Sequence, residues 1–337
     1  MRLRLSSLLF AILLAAPLGA AFVPGTVFIQ NTATNSSLGL NSREMWVYSP
    51  GDSYALGTGT PLIYQMSPLG EGPFLIRTPN AAIFERSRII SVWDGIERYY
   101  GDPVTGIQDI LSSDVDLAEI APARSGNFVV AEQWNTPEVG AKLVEFNLGG
   151  AVAEYNLPTI ADVAHNRVLG AHHIEVLGDG CTVLYTLGHD DPNPGRVHRF
   201  NICTGAAESD FWVPTVSTEY AGSLRQIPNG DVLVAFGTGI RELTLQGVPV
   251  HEWAFAGVTH LALTPDGHAF YAAGLDHQKA DFRLYQLDTP SDPPQLIPLG
   301  NPEMQSLLSP AEILELVVVG EWRAVGVTAR TRAVRHR

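Results

Sequence analysis

Basic residues are scarce in this chain: 21 lysines and arginines stand against 35 aspartates and glutamates, a formal charge of −14. Such an acidic chain lacks the electrostatic footprint needed to bind a nucleic-acid backbone or an anionic membrane surface. Long apolar runs are missing too. The run at 313–319 contains Glu315 and is followed by Glu321 and Arg323, so no later segment reaches the roughly 20 residues that span a bilayer. Cysteine occurs only as Cys181 and Cys203, outside any CxxC and away from any histidine cluster, which leaves the pair a structural role. HExxH and GxSxG are absent as well, and with them the familiar signatures of zinc proteases and serine hydrolases.

Residues 1–21 read as a secretory leader. Arg2 and Arg4 precede an apolar run at 8–14, and Pro17-Leu18-Gly19-Ala20-Ala21 puts small residues at the cleavage point. The mature chain then begins near Phe22 and works outside the cytoplasm, secreted or periplasmic. Its charge becomes about −16 once Arg2 and Arg4 leave. A disulfide is permitted there. Folding the hairpin around the 188–195 loop opposes Val183 with Asn201, Tyr185 with Arg199 and Cys181 with Cys203, so the cysteines are expected to be bonded.

What the chain has in quantity is short β-type runs separated by turn residues. Between 170 and 213 four strands are expected: 172–177, 181–187, 196–203 and 206–213. Gly178-Asp179-Gly180 turns the first pair and a polar loop at 188–195 joins the second. The unit recurs. Ser125-Gly126-Asn127-Phe128 resembles Pro228-Asn229-Gly230-Asp231 and Pro265-Asp266-Gly267-His268, and Pro50-Gly51-Asp52 is an earlier copy. Successive turns at 51, 87, 126, 180, 230, 267 and 320 lie 36 to 54 residues apart. Four strands per repeat at that period predict an all-β fold, a β-propeller of four-stranded antiparallel blades. Blades are expected at 43–78, 80–110, 115–157, 172–213, 220–255 and 258–299. The strand at 25–30 joins two strands within 312–328 to close the ring. Seven blades follow from this assignment, with six as the alternative. One domain then covers 22–329, and a basic tail, 330–337, is expected to be disordered.

Long connections at 133–140, 159–171, 188–195 and 274–281 fall on one face of such a propeller, the face expected to bind. They bring with them Glu132, Trp134, Asn135, His172, His173, His189, Asp190, Asp191, His260, Asp276 and His277. Imidazoles and carboxylates converging on a channel mouth suit either a divalent metal or a base with its orienting group. Each also has a plainer reading. The run from His189 to Gly195 is turn chemistry, His260 suits a core position, and Asp276-His277 suits a solvated loop. The adjacent His172 and His173 carry the sharpest signal, because neighbours on a strand point to opposite faces.

The third repeat, Gly126-Asn127-Phe128-Val129-Val130-Ala131-Glu132 with Lys142-Leu143-Val144-Glu145-Phe146 and Ala153-Glu154-Tyr155-Asn156-Leu157-Pro158, resembles the NHL and streptogramin-lyase-like propellers. The resemblance implies a lactone-opening elimination using a histidine, glutamates and bound magnesium. It places Glu132 at the glutamate and His172 or His173 at the histidine, these three being the implied ligands of one divalent cation, magnesium or calcium. His172-His173-Ile174-Glu175-Val176-Leu177-Gly178-Asp179-Gly180, followed by Arg196-Val197-His198-Arg199-Phe200, is similar to a repeat of the arylsulfotransferase-like propellers, whose catalytic group is an inner-strand histidine. The expectation is therefore a monomeric propeller that binds a small molecule, a glycan or a protein on its long-loop face. The alternative is a lyase, a lactone or ester hydrolase, or an arylsulfotransferase-like enzyme acting there.

Overall fold

The computed structural model describes residues 25, 27–35, 40–48, 62–65, 89–90, 97–102, 106–112, 117–123, 127–132, 134–147, 150–188, 191–193, 195–215, 219–276, 279–287, 294–297, 312–318 and 321–324. Its strands form antiparallel sheets in a propeller arrangement. Blade three runs outward through Leu117–Pro122, Phe128–Glu132, Lys142–Asn147 and Gly150–Asn156. Blade four has His173–Val176, Thr182–Thr186, His198–Asn201 and Ala206–Ala207, and blade five has Ala221–Gln226, Val232–Phe236, Gly239–Leu243 and Pro249–Ala254. Blade six has Val258–Leu263, Ala269–Asp276, Lys279–Gln286 and Gln295–Leu296. Three strands, Ile89–Ile90, Glu97–Asp102 and Gly106–Ser112, make blade two.

The ring closes as a clasp between the two ends of the chain. Glu312–Val318 is the first strand of blade one, and Val27–Asn35, Leu40–Tyr48 and Leu62–Gln65 add outward from it, with Val27 opposite both Val318 and Tyr48. The expected pairing of N-terminal and C-terminal strands is therefore present, but two details differ. Strands placed by sequence in a blade of their own at 43–78 belong to this closing sheet, and among the described residues the C-terminal part supplies one strand. Among the described residues six sheets are consequently blades, the smaller of the two counts considered.

A seventh sheet, of three strands, is built from the long connections. Trp134–Asn135 pairs with Arg167–Leu169, which pairs with Ile160–Asp162. Two of the four expected loops thus fold as a rim. A third, 274–281, is mostly strand: Asp276 pairs with Lys279 across a tight hairpin.

Period-two alternation explains how the blades pack. In the second strand of blade four Val183 and Tyr185 join the core shared with blade three, while Leu184 joins the core shared with blade five. Blade five repeats this, with Val232, Val234 and Phe236 facing blade four and Leu233 and Ala235 facing blade six. A sheet covered on both faces needs apolar residues on both, which is why the inner strands read as continuous apolar runs. Ala221–Gln226 is buried throughout, whereas the outermost strand of the same blade, Pro249–Ala254, buries only Trp253.

The recurring turn residues are clamps. In blade three Asn127 donates to the Glu145 carboxylate at 2.7 Å, and the Tyr155 hydroxyl donates to its other oxygen at 2.9 Å. In blade five Asn229 and His251 hold Glu242 in the same way, at 3.0 and 2.6 Å. Gly230 completes that turn with φ of 99°, a conformation that excludes an ordinary side chain.

The disulfide is present, with Cys181 and Cys203 bonded and their Cα atoms 5.2 Å apart. The register differs by one residue from the expected one: Val183 opposes Phe200 and Tyr185 opposes His198. One step along a strand exchanges its two faces, so Phe200, not Asn201, lies against the blade core. The bond still forms because both cysteines lie just beyond the paired residues. There Ile202 donates to the Cys181 carbonyl, and the Asn201 side chain caps Cys203 and Thr204 as the chain turns.

Candidate functional site

The first strands of blades three, four, five, six and one stand side by side in that order around the axis. A first strand has a neighbour in its own sheet on one side only, so its inward N–H groups need other acceptors. Side chains from neighbouring elements supply them. Glu119 of blade three accepts from Ile174 of blade four at 2.9 Å, and Glu175 of blade four accepts from Gln226 of blade five at 3.2 Å. Glu321 accepts from Leu263 of blade six at 2.7 Å.

These carboxylates are joined by two guanidiniums into one buried network. Arg225 donates through Nη2 to Glu119 and through Nε to Glu321, both at 3.0 Å, and through Nη1 to its neighbour's carbonyl, Leu224, at 2.7 Å. Arg323 donates to Glu175 and, at 2.7 Å, to Glu321. Burial acts against the Arg225 charge, but Glu321, Glu119 and Glu175 outweigh it and raise its pKa. Burial dominates at Glu175 and raises its pKa despite Arg323 and Arg225.

Glu321 and Arg323 come from a segment that follows the closing strand and crosses the face of the first-to-second-strand turns. Trp322 donates its N–H to the Thr264 carbonyl at 3.4 Å, and a Cβ on Gly267 would stand 3.1 Å from its ring. A Cβ on Gly178 would likewise stand 3.2 Å from that of Ala324. Trp322 and Ala324 thus rest on the turns of blades six and four while Glu321 and Arg323 reach inward. The segment acts as a plug.

At the other end of the same network lies His173. Its Nδ1 is 3.4 Å from the Glu119 carboxylate, and its ring meets His260 edge to face with centroids 5.2 Å apart. The His260 Nδ1 is held by the Thr259 hydroxyl at 2.8 Å. Between the two histidines runs blade five, whose Gly222 lies so close to blade six that a Cβ would stand 2.8 Å from the Thr259 carbonyl. Three blades thus bring an imidazole, its carboxylate and a second imidazole together. Glu119, Glu175, Arg225, Glu321 and Arg323 were not among the residues expected from sequence; their one signal is a lone Glu or Arg inside a buried inner strand, or just after one.

The other expected residues are distributed as follows. His172 lies beside His173, with centroids 6.4 Å apart, and packs against Gly188, where a Cβ would stand 3.0 Å from its ring. Glu132 is buried at the end of its strand. Burial raises its pKa, against the opposing effects of the Asn135 amide, which donates at 3.3 Å, and the Lys142 backbone N–H. The Asn135 side-chain oxygen accepts from Thr136 at 2.7 Å, and Trp134 pairs with Leu169 in the rim sheet. Asp191 turns toward the third strand of blade four, accepting from Asn193 at 2.7 Å and standing 3.7 Å from the His198 Nε2. His198 is in turn held by Asp210 at 2.9 Å and stacks on Tyr185. Asp276 ends a hairpin strand. His189, Asp190 and His277 lie outside the described residues, as do the leader and the 330–337 tail.

Among the described residues no group of three or more His, Cys, Asp or Glu is arranged to hold a metal ion. Glu132 is turned to Asn135 and Lys142, while His173 is turned to Glu119. No helix among the described residues is long and apolar enough to cross a membrane.

No family model and no curated protein matches the chain. Solved structures do. A protein of unknown function from Bacteroides caccae is 12% identical with a TM-score of 0.56, over 87% of this chain and 98% of that one. Virginiamycin B lyase from Staphylococcus aureus is 14% identical with a TM-score of 0.48, over 69% and 72% of the two chains. A luciferin-regenerating enzyme is 12% identical with a TM-score of 0.48, over 90% and 95%. At such identities the likeness is one of fold.

Proposed function

We propose that this chain is an exported propeller that takes a small carbonyl compound, a lactone or ester, at the channel mouth beside His173 and moves a proton on it. The observation that carries this reading is the His173 ring set between the Glu119 carboxylate and the His260 ring, three groups drawn from three blades. A carboxylate facing Nδ1 orients the ring, and Nε2 is the atom this reading assigns to proton exchange with a ligand. His260, oriented by Thr259, is the second proton-transfer group. The Cys181–Cys203 disulfide fits an oxidising compartment. Metal analysis of the purified protein decides separately whether a divalent cation is bound.

The test is turnover of a panel of neutral lactones and esters by the parent protein and by His173→Ala. Acid–base groups of this kind contribute about 10²-fold or more, so the variant should lose that much in kcat/KM while keeping its melting temperature. Equal turnover by the two proteins would remove His173 from the chemistry. A second reading, a binding module without catalysis, is favoured by the rim sheet that thickens the long-loop face. It predicts ligand binding, no turnover by the parent, and little effect of His173→Ala.

A further inference from the structure

Resting on that reading, the charges beneath His173 narrow the substrate class. The network hanging from it holds three carboxylates, Glu119, Glu175 and Glu321, and two guanidiniums, Arg225 and Arg323. With all five ionised its charge is −1, and with Glu175 protonated in its buried setting it is zero. In neither state is it positive.

Nor is a guanidinium available to an incoming anion. Arg225 uses Nε, Nη1 and Nη2 on Glu321, Leu224 and Glu119. Arg323 has both terminal nitrogens on carboxylates, and its Nε, though without a hydrogen-bond partner, is buried at the plug. Lys142, one of only two lysines in the chain, is held by Glu154 at 2.7 Å. Phosphate and sulfate esters are recognised by forks of free Arg or Lys donors, and the two guanidiniums of this network present none. The whole chain, at −14, adds a field of the same sign.

We infer that the mouth takes a neutral or cationic small molecule and turns away phosphorylated and sulfated ones. The structural contrast is direct: Glu119 faces the His173 ring, and every guanidinium nearby already serves a carboxylate. A compound with a hydroxyl or amine next to the reacting centre meets acceptors there, whereas a phosphoryl group meets carboxylate oxygens.

The experiment reads the field at His173 without requiring turnover. In the full-length protein with ring-labelled histidines, the His173 ε1 resonance is assigned from its loss in His173→Ala. Its paramagnetic relaxation is then compared between cationic aminomethyl-PROXYL and anionic carboxy-PROXYL, and its shift is followed during titration with millimolar inorganic phosphate. The cationic probe should relax the signal roughly threefold or more above the anionic one, as a field of that sign requires, and phosphate should leave the shift unchanged. Equal or stronger relaxation by the anionic probe, or a saturable phosphate shift, overturns the inference. Because neither readout depends on catalysis, a panel that shows no turnover would sink the proposed function and leave this result standing.

Discussion

At the scale of single residues, the account rests on a buried ion network that must be complete to be tolerable. Removing one partner of such a network leaves the others charged and unpaired, which costs about 3–5 kcal/mol. Arg225→Met should therefore destabilise the protein by that order, measured by urea unfolding, because Glu119 loses its guanidinium and Glu321 one of its two; a loss below about 1 kcal/mol would mean the network is not tightly held. Glu175 gives a pH signature. Burial raises its pKa above the ordinary 4.5, so the folded chain holds that proton more tightly than the unfolded chain. Its contribution to stability then falls as the pH climbs from the ordinary carboxylate range through the folded value. Glu175→Gln cannot ionise, so its stability relative to the parent should improve with rising pH across that window. A gap that stays constant or widens would contradict the assignment. His173 was legible in the sequence because two adjacent histidines on a strand cannot both be buried among apolar neighbours. Glu119 was not: it is one acidic residue in Leu117–Pro122, and nothing local to it says which blade its carboxylate will reach.

At the scale of elements, the turns and hairpins were readable and the register was not. Asn127, Asp179, Asn229 and Asp266 mark turns because their side chains bond the backbone or a clamp nearby, and those bonds are local. Register depends on how the 188–195 loop spaces two strands, and an error of one residue moved Asn201 in place of Phe200 onto the core-facing position. The disulfide survives that shift because it lies beyond the paired residues. It closes a separation of 22 residues, so the Cys181→Ser/Cys203→Ser protein should be less stable by about 3 kcal/mol in the chain-entropy picture, seen as a lower melting temperature with its fold retained. An unchanged melting temperature would mean the hairpin needs no tie. Gly170 tests the junction between rim and blade. A Cβ there would lie 2.0 Å from the Glu132 carbonyl and 2.8 Å from the Ala141 Cβ, so Gly170→Ala should cost about 1–3 kcal/mol.

At the scale of the whole molecule, the ring is held by pairing its two ends. The sequence showed the N-terminal strand reaching the C-terminal one, but it could not show that the strands at Leu40–Tyr48 and Leu62–Gln65 add to the same sheet, because strands of neighbouring repeats look alike. Deleting 309–337 removes the inner strand of blade one together with the plug, and the melting temperature should fall sharply; an unchanged one would mean that the clasp does not hold the ring. In the proposed function the channel mouth acts through His173 oriented by Glu119. The sequence resemblance alone would assign the carboxylate to Glu132. The most direct measurement is kcat/KM on the best neutral lactone or ester of the panel for Glu119→Gln and Glu132→Gln, each corrected for its folded fraction. The account predicts a loss of about tenfold or more in Glu119→Gln, as befits a group that orients an acid–base histidine, and near-parent activity in Glu132→Gln. The reverse order, with Glu132→Gln inactive and Glu119→Gln active, would contradict it.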